Sequence, residues 1–129
     1  MKNSFNKYQI ERFSRQLVLK NIGAKGQKKI LSSKVLIVGV GGLGCPAAES
    51  LVRAGIGTIG LVDSDIVNLS NIHRQSLFNS KDIKKPKVNV AAKKLKEINP
   101  QSKIKIYKTR LNEKNIKNII REYDLVIDG

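Results

Sequence analysis

The most regular apolar pattern in the sequence lies in residues 35–55, VLIVGVGGLGCPAAESLVRAG. Four consecutive apolar residues, 35–38, predict a buried strand of a parallel sheet. Pro46 falls in the first turn of the helix that follows, where its missing N–H costs little. Apolar side chains recur along that helix at helical spacing, at Leu43, Ala47, Ala48, Leu51 and Val52. The pattern predicts a strand, a glycine turn and a helix in succession.

The segment before this strand is predicted to be helical. Ile10, Phe13 and Leu17 recur at helical spacing, which predicts one short amphipathic helix over residues 8–17. A basic stretch, residues 26–31, predicts a second helix that ends at Ser32 and Ser33.

Beyond residue 57 predicted strands alternate with predicted helices. Apolar runs predict strands at residues 58–62, 104–106 and 125–127, and helical spacing predicts helices between Pro86 and Pro100 and over residues 116–123. We therefore expect an α/β fold, a Rossmann-like parallel sheet with flanking helices and right-handed crossovers, incomplete at about four strands. We expect residues 1–33 to form an N-terminal helical segment. Residues 34–129 would form a nucleotide-binding domain that is truncated at its C-terminus.

The glycine cluster predicts a nucleotide-binding turn. Gly39, Gly41 and Gly44 fit the pattern G-x-G-x-x-G, and Gly42 adds another position without a side chain. Glycine is needed where the turn is tight and where the backbone approaches phosphate oxygens. The N-terminus of the following helix would direct free N–H groups at an anion. An ordinary strand-to-helix junction can carry the same glycines, so the pattern alone leaves that alternative open.

A carboxylate supports the nucleotide interpretation. Asp63 ends the second predicted strand, 24 positions after Gly39. Near this offset in dinucleotide-binding folds, an acidic side chain accepts hydrogen bonds from ribose hydroxyls.

A long polar connection, residues 64–87, follows Asp63. Long loops at the C-terminal edge of a parallel sheet commonly carry binding residues. Asn68 and Asn71 offer amide groups to a ligand. Arg74 offers a bidentate fork for phosphate, and Lys87 offers a point charge. His73 could act as a general base, but a surface imidazole is the simpler interpretation, because no nucleophile or metal-ligand set accompanies it.

Composition and charge narrow the class of protein. The 129 residues are 40% hydrophobic and 27% charged, which predicts one folded domain. No apolar run approaches the ~20 residues that span a bilayer, and the N-terminus lacks the apolar core of a signal peptide. We therefore expect a cytoplasmic protein.

The formal net charge is +15, but the lysines are dispersed and few aromatic residues accompany them. A nucleic acid is expected to bind only nonspecifically.

Cys45 is the only cysteine, so no internal disulfide and no CxxC zinc site can form, and zinc is not expected. It opens a predicted helix, where a thiolate is favoured. A small residue packed behind the glycine turn is the interpretation that we prefer.

Several segments together resemble the ThiF/MoeB/HesA adenylyltransferases, bacterial relatives of ubiquitin-activating enzymes. They occur in the order RFSRQ, VLIVGVGGLGCPAAESLVRAGIG, LVDSDIVNLSNIHRQ, KPKV, INP and DLVIDG. The resemblance implies a homodimeric enzyme that binds ATP and Mg²⁺. It would activate the C-terminal glycine of a ubiquitin-like sulfur carrier, in thiamine or molybdenum cofactor biosynthesis, as an acyl adenylate.

The resemblance also implies roles for individual residues. Asn71, Arg74 and Lys87 would bind the triphosphate, and Arg15 would reach the phosphates of the partner subunit's ATP. The catalytic residues would be Arg74, Lys87 and Arg15. The nucleotide-binding set would comprise Gly39, Gly41, Gly42, Gly44, Asp63, Ser70, Asn71, Arg74 and Lys87.

The sequence departs from the family pattern after its fourth predicted strand. Family members continue into a segment whose aspartate helps to bind the metal, and many carry paired CxxC zinc sites. We therefore assign no metal ligand and expect this chain to bind nucleotide weakly and not to adenylate a carrier by itself. A nicotinamide-dependent oxidoreductase shares the glycines and Asp63 but does not explain Asn71, Arg74 and Lys87. A catalytically dead nucleotide-binding or dimerisation module is the remaining alternative.

Overall fold

The computed structural model describes residues 5–129. It contains one sheet of four strands, namely β1 (Lys34–Val38), β2 (Thr58–Val62), β3 (Lys103–Tyr107) and β4 (Leu125–Asp128). The strands lie in the order β3-β2-β1-β4, and every pairing is parallel. The predicted Rossmann-like sheet of four parallel strands with flanking helices is confirmed.

The strand order places a switch point at the C-terminal end of β1. From β1 the chain moves outward to β2 and β3, and then returns to β4 on the other side of β1. Neighbouring crossovers therefore diverge between β1 and β4. In open α/β sheets, this divergence opens the crevice in which ligands bind.

Six helices accompany the sheet in the described residues: α1 (Lys7–Arg12), α2 (Ser14–Leu17), α3 (Gly23–Ser32), α4 (Gly44–Ala54), α5 (Lys87–Ile98) and α6 (Ile116–Ile120). The connection after β2 contains two short 3-10 turns, Leu69–Asn71 and Ser80–Asp82. Across residues 5–129, no helix has both the length and the apolar character that crossing a membrane requires.

The prediction of one helix over residues 8–17 was wrong. The chain forms α1 and α2 instead, and the helix breaks at Phe13, whose φ and ψ are −105° and 15°. Phe13 is only 2% exposed, and its ring lies directly against Gly55. This distant contact overrides the local helical periodicity.

The sheet is covered unequally on its two faces. Side chains from alternate positions of β1 and β2 pack with α4 and α5 in the main core, which includes Ile37, Leu61, Val52 and Leu95. The opposite face carries a smaller cluster of Leu36, Val62 and Ile119 beneath α6. The strands alternate their side chains between these layers, as a sheet buried on both faces requires.

The N-terminal helices are tied to the C-terminal ends of α4 and α5. Gln16 Nε2 donates to Gln27 Oε1 (2.7 Å) and to the carbonyl oxygen of Ala54 (2.9 Å). Gln27 Nε2 donates to the same carbonyl at 2.9 Å, and Arg12 Nη2 donates to the carbonyl of Ile98 at 2.6 Å. These bonds satisfy helix-terminal carbonyls that have no partner within their own helices.

Substituting Gly55 should test this junction. Gly55 has a φ of +99°, and a Cβ there would lie 2.6 Å from the Phe13 ring. We expect Gly55→Ala to lower the free energy of unfolding by roughly 2–4 kcal/mol, because backbone strain (~1–2 kcal/mol) and overpacking (~1–3 kcal/mol) combine. Urea denaturation measures this loss. Gly23→Ala is the control, since its φ is +57° but no atom lies within 4 Å of the added carbon. Equal losses in both variants would contradict the packing argument.

Candidate nucleotide-binding site

Two glycines of the turn are explained by the backbone alone. Gly39 has a φ of +92°, and its N–H donates to the carbonyl of Val62 at 2.8 Å. A Cβ at Gly44 would overlap the carbonyl oxygen of Gly39. Any strand-to-helix junction this tight would need glycine at both positions, so Gly39 and Gly44 carry little information about a ligand.

The other two glycines face side chains of the long loop. A Cβ built on Gly42 would lie 3.1 Å from Arg74 Nη1, and one on Gly41 would lie 3.7 Å from Gln75 Nε2. The guanidinium of Arg74 therefore rests against the glycine turn. The structure brings together Gly42 and Arg74, which are 32 positions apart in the sequence.

The turn presents free donors. The N–H of Val40 donates to Asp63 and the N–H of Cys45 donates to the carbonyl of Gly41. In the described part of the chain, the N–H groups of Gly41, Gly42 and Leu43 donate no hydrogen bond. Free N–H groups at the start of α4, beside a guanidinium, form an arrangement that suits an anion.

Asp63 lies at the end of β2 and joins that strand to the turn. Its Oδ2 accepts from the N–H of Val40 and its Oδ1 accepts from the N–H of Asp65, both at 2.8 Å. The side chain is half-buried. Each oxygen keeps capacity for a second donor, so the carboxylate is positioned for a further ligand while it holds the turn.

The loop after β2 is shaped by Asn71, which is 8% exposed. Asn71 Oδ1 accepts from the N–H of Asn68 at 2.9 Å, and the Asn71 carbonyl accepts from the N–H groups of Arg74 (3.2 Å) and Gln75 (2.9 Å). Ser70 is exposed on the same turn. Asn71 thereby holds the backbone of Arg74 and Gln75, whose side chains lie against Gly42 and Gly41.

Lys87 is the most informative charge at the site. It is the first residue of α5 and only 6% exposed, and its N–H donates to the carbonyl of Asp65 at 3.0 Å. None of the salt bridges found in residues 5–129 involves Lys87. A largely buried lysine side chain without a carboxylate partner leaves its positive charge available to an anionic ligand.

Cys45 is packed rather than reactive. Its side chain is fully buried, and its Sγ lies 3.8 Å from the carbonyl oxygen of Val40. Burial raises the pKa of the thiol, although the nearby charge of Lys87 opposes this shift. The raised pKa disfavours the thiolate, which supports the packed interpretation. His73 is an exposed imidazole.

Arg15 is not brought to the glycine turn of its own chain. It is exposed on α2, and its neighbour Gln16 is bonded to Ala54 at the last turn of α4. The glycine turn is at the other end of that 11-residue helix, about 15 Å away along the axis.

In the described residues, no group of three or more His, Cys, Asp or Glu side chains could hold a metal ion.

Comparison with known proteins assigns the family. The family model described as the ThiF family matches residues 13–129. The chain belongs to the ThiF family. Its glycine turn, Asp63 and the loop that carries Arg74 all lie within the matched range.

Two relatives of this ThiF family chain are named adenylyltransferases. The sulfur carrier protein adenylyltransferase of Thermus thermophilus is 41% identical over 125 residues, covering 97% of this chain and 46% of the relative. A probable molybdopterin-synthase adenylyltransferase of Porphyra purpurea is 47% identical over 118 residues, covering 92% of this chain and 31% of the relative. The chain thus spans less than half the length of these relatives.

A solved structure supports the same family fold. The E. coli tRNA N6-threonylcarbamoyladenosine dehydratase TcdA, crystallised in complex with ATP, matches with a TM-score of 0.90 and 28% identity. The match covers 98% of this chain and 51% of that structure.

One residue of this site was missed by the sequence analysis. Gln75 is only 2% exposed and lies against Gly41, yet it was not among the predicted binding residues. Its position directly after Arg74 could have indicated a place in the site, because Arg74 lies against Gly42 and Gln75 lies against the neighbouring Gly41.

Proposed function

We propose that this ThiF family chain binds ATP at its glycine turn and contributes to a site that adenylates the C-terminal glycine of a ubiquitin-like sulfur carrier. The observation that carries the proposal is Lys87, a lysine that is only 6% exposed and forms no salt bridge in the described residues. The ATP complex of the TcdA structure and the names of the adenylyltransferase relatives support the nucleotide and the reaction.

The proposed binding mode follows the geometry of the turn. The free N–H groups of Gly41 and Gly42 would face phosphate oxygens, as at other helix N-termini that bind anions. The spare acceptor capacity of Asp63 would receive the ribose hydroxyls. Arg74 and Lys87 would bind the triphosphate, and Ser70 and Asn71 would add polar contacts from the loop after β2.

The proposed reaction needs no nucleophilic side chain. A carboxylate oxygen of the carrier attacks the α-phosphorus of ATP, and the bond to the bridging oxygen breaks. Pyrophosphate leaves with that electron pair, and the acyl adenylate remains. Negative charge grows on phosphate oxygens during this step, so the fixed charges of Arg74 and Lys87 would stabilise the transition state. Mg²⁺ would arrive with the phosphates of ATP, where it keeps several waters and needs few protein ligands.

Arg15 is proposed to act on the partner subunit of a homodimer. Arg15 lies beside the C-terminal end of α4, whereas the glycine turn lies at the N-terminal end, so Arg15 is too distant to contact a nucleotide bound at the turn of its own chain. Because Arg15 is exposed, its guanidinium is available to a second copy of the chain.

A nicotinamide-dependent oxidoreductase is not favoured as an alternative function, because the matched relatives are named adenylyltransferases.

Removing either cation should weaken ATP binding. We expect Arg74→Ala and Lys87→Met to raise the Kd for Mg·ATP roughly tenfold to a hundredfold, the range for losing one hydrogen bond to a charged group. Isothermal titration calorimetry on the folded 129-residue chain measures this change. Arg53→Ala and Lys93→Met remove the same charges from exposed positions of α4 and α5, and should leave the Kd unchanged. Unchanged affinity in Arg74→Ala and Lys87→Met would contradict the phosphate assignment.

The reaction itself is tested by pyrophosphate exchange. Because the relatives are more than twice as long, the assay uses the protein purified from its native source. With ATP, Mg²⁺ and a sulfur carrier ending in Gly-Gly, labelled pyrophosphate should enter ATP. A carrier that lacks the terminal glycine should give no exchange, because the attacking carboxylate is displaced. Exchange that does not depend on the carrier would refute the proposed substrate.

Subunit mixing tests Arg15. In a heterodimer of Arg15→Ala and Arg74→Ala subunits, one site regains both arginines if Arg15 acts on the partner. Random pairing should restore about a quarter of the wild-type exchange rate, since half the dimers are mixed and each has one complete site. No recovery would show that Arg15 does not act across the dimer.

A further inference from the structure

Gln75 has a buried amide that folding does not explain. The residue is 2% exposed, and within residues 5–129 its Oε1 atom is buried and has no hydrogen-bond partner. Buried polar groups almost always have partners, because an unpaired acceptor loses its hydration without compensation. A methionine would fill the same volume without this loss.

The orientation of the amide points to the glycine turn. Nε2 of Gln75 lies 3.7 Å from the position of a Cβ on Gly41. The N–H groups of Gly41, Gly42 and Leu43 are also free in the described part of the chain. The NH2 group of the Gln75 amide, which is the positive end of its dipole, therefore lies at the turn, whereas Oε1, the negative end, is buried.

We infer that Gln75 is a further phosphate-binding residue of this site. Its carboxamide directs its N–H end at the bound phosphate, beside the free backbone donors and the guanidinium of Arg74. The inference rests on the proposed binding of ATP at this turn. It explains why an amide occupies a position where an apolar side chain would pack without an unpaired acceptor.

The test compares stability with affinity in one variant. Gln75→Met keeps the side-chain volume and removes the dipole. We expect its melting temperature to equal or exceed that of the wild type, and its Kd for Mg·ATP to rise roughly tenfold, the loss expected for one hydrogen bond to a charged group. Gln75→Glu places a negative charge at the turn and should weaken ATP binding further. Calorimetric titration and thermal denaturation of the 129-residue chain give both quantities.

Asn99 provides the matched control, because it is a buried amide with complete hydrogen bonding. Its Nδ2 donates to the carbonyl of Val52 (3.1 Å) and to Ser102 Oγ (3.2 Å), and its Oδ1 accepts from the N–H of Gln101 (3.1 Å). It follows α5, at the opposite edge of the sheet from the glycine turn. Asn99→Leu should lower the melting temperature and leave the Kd for ATP unchanged, which is the reverse of the result expected for Gln75→Met.

A second measurement uses the wild-type chain alone. The assigned side-chain amide resonances of Gln75 should shift in nitrogen–proton correlation spectra when Mg·ATP is added. Unmoved resonances, or a folded Gln75→Met variant with wild-type affinity, would overturn the role of Gln75 and leave ATP binding intact. A wild-type chain that binds no ATP would overturn the proposed function, and this inference with it.

Discussion

The close contact between the end of β1 and the start of α4 is the constraint on which the site depends. The backbone of Gly44 lies so near the carbonyl of Gly39 that no side chain fits between them. This contact sets the direction of α4 and leaves three N–H groups of the turn without acceptors in the described residues. An anion-binding turn therefore follows from a packing requirement of strand and helix.

The electrostatics of the site are built against that turn from two directions. Arg74 approaches from the long loop and remains exposed, so water screens much of its charge. Lys87 lies in the first turn of α5 and is only 6% exposed, so water screens its charge less than it screens the charge of Arg74. Asp63 adds a carboxylate that is already bonded to the turn on one side. The site thus combines cations and donors for phosphate with acceptors for hydroxyl groups.

Polar groups serve stability at one edge of the sheet and binding at the other. At the N-terminal edge of the strands, Gln27 and Asn99 are buried with both side-chain polar atoms hydrogen-bonded, and they join the ends of α4 and α5 to neighbouring segments. At the C-terminal edge, Gln75 Oε1 is buried without a partner, and Lys87 forms no salt bridge in the described residues. Incomplete pairing at a binding site is expected, because the ligand supplies the missing groups.

The amino-acid sequence alone was sufficient to predict the parallel sheet and the glycine turn, and it named Asp63, Arg74 and Lys87 as candidate site residues. These features are encoded locally, by apolar periodicity and by residue types within one segment. Only the tertiary structure decided that Phe13 breaks the first helix, that Gly42 meets Arg74, and that Lys87 and Gln75 are buried. Each of these depends on contacts between residues far apart in the chain, whose distances and burial no local pattern specifies.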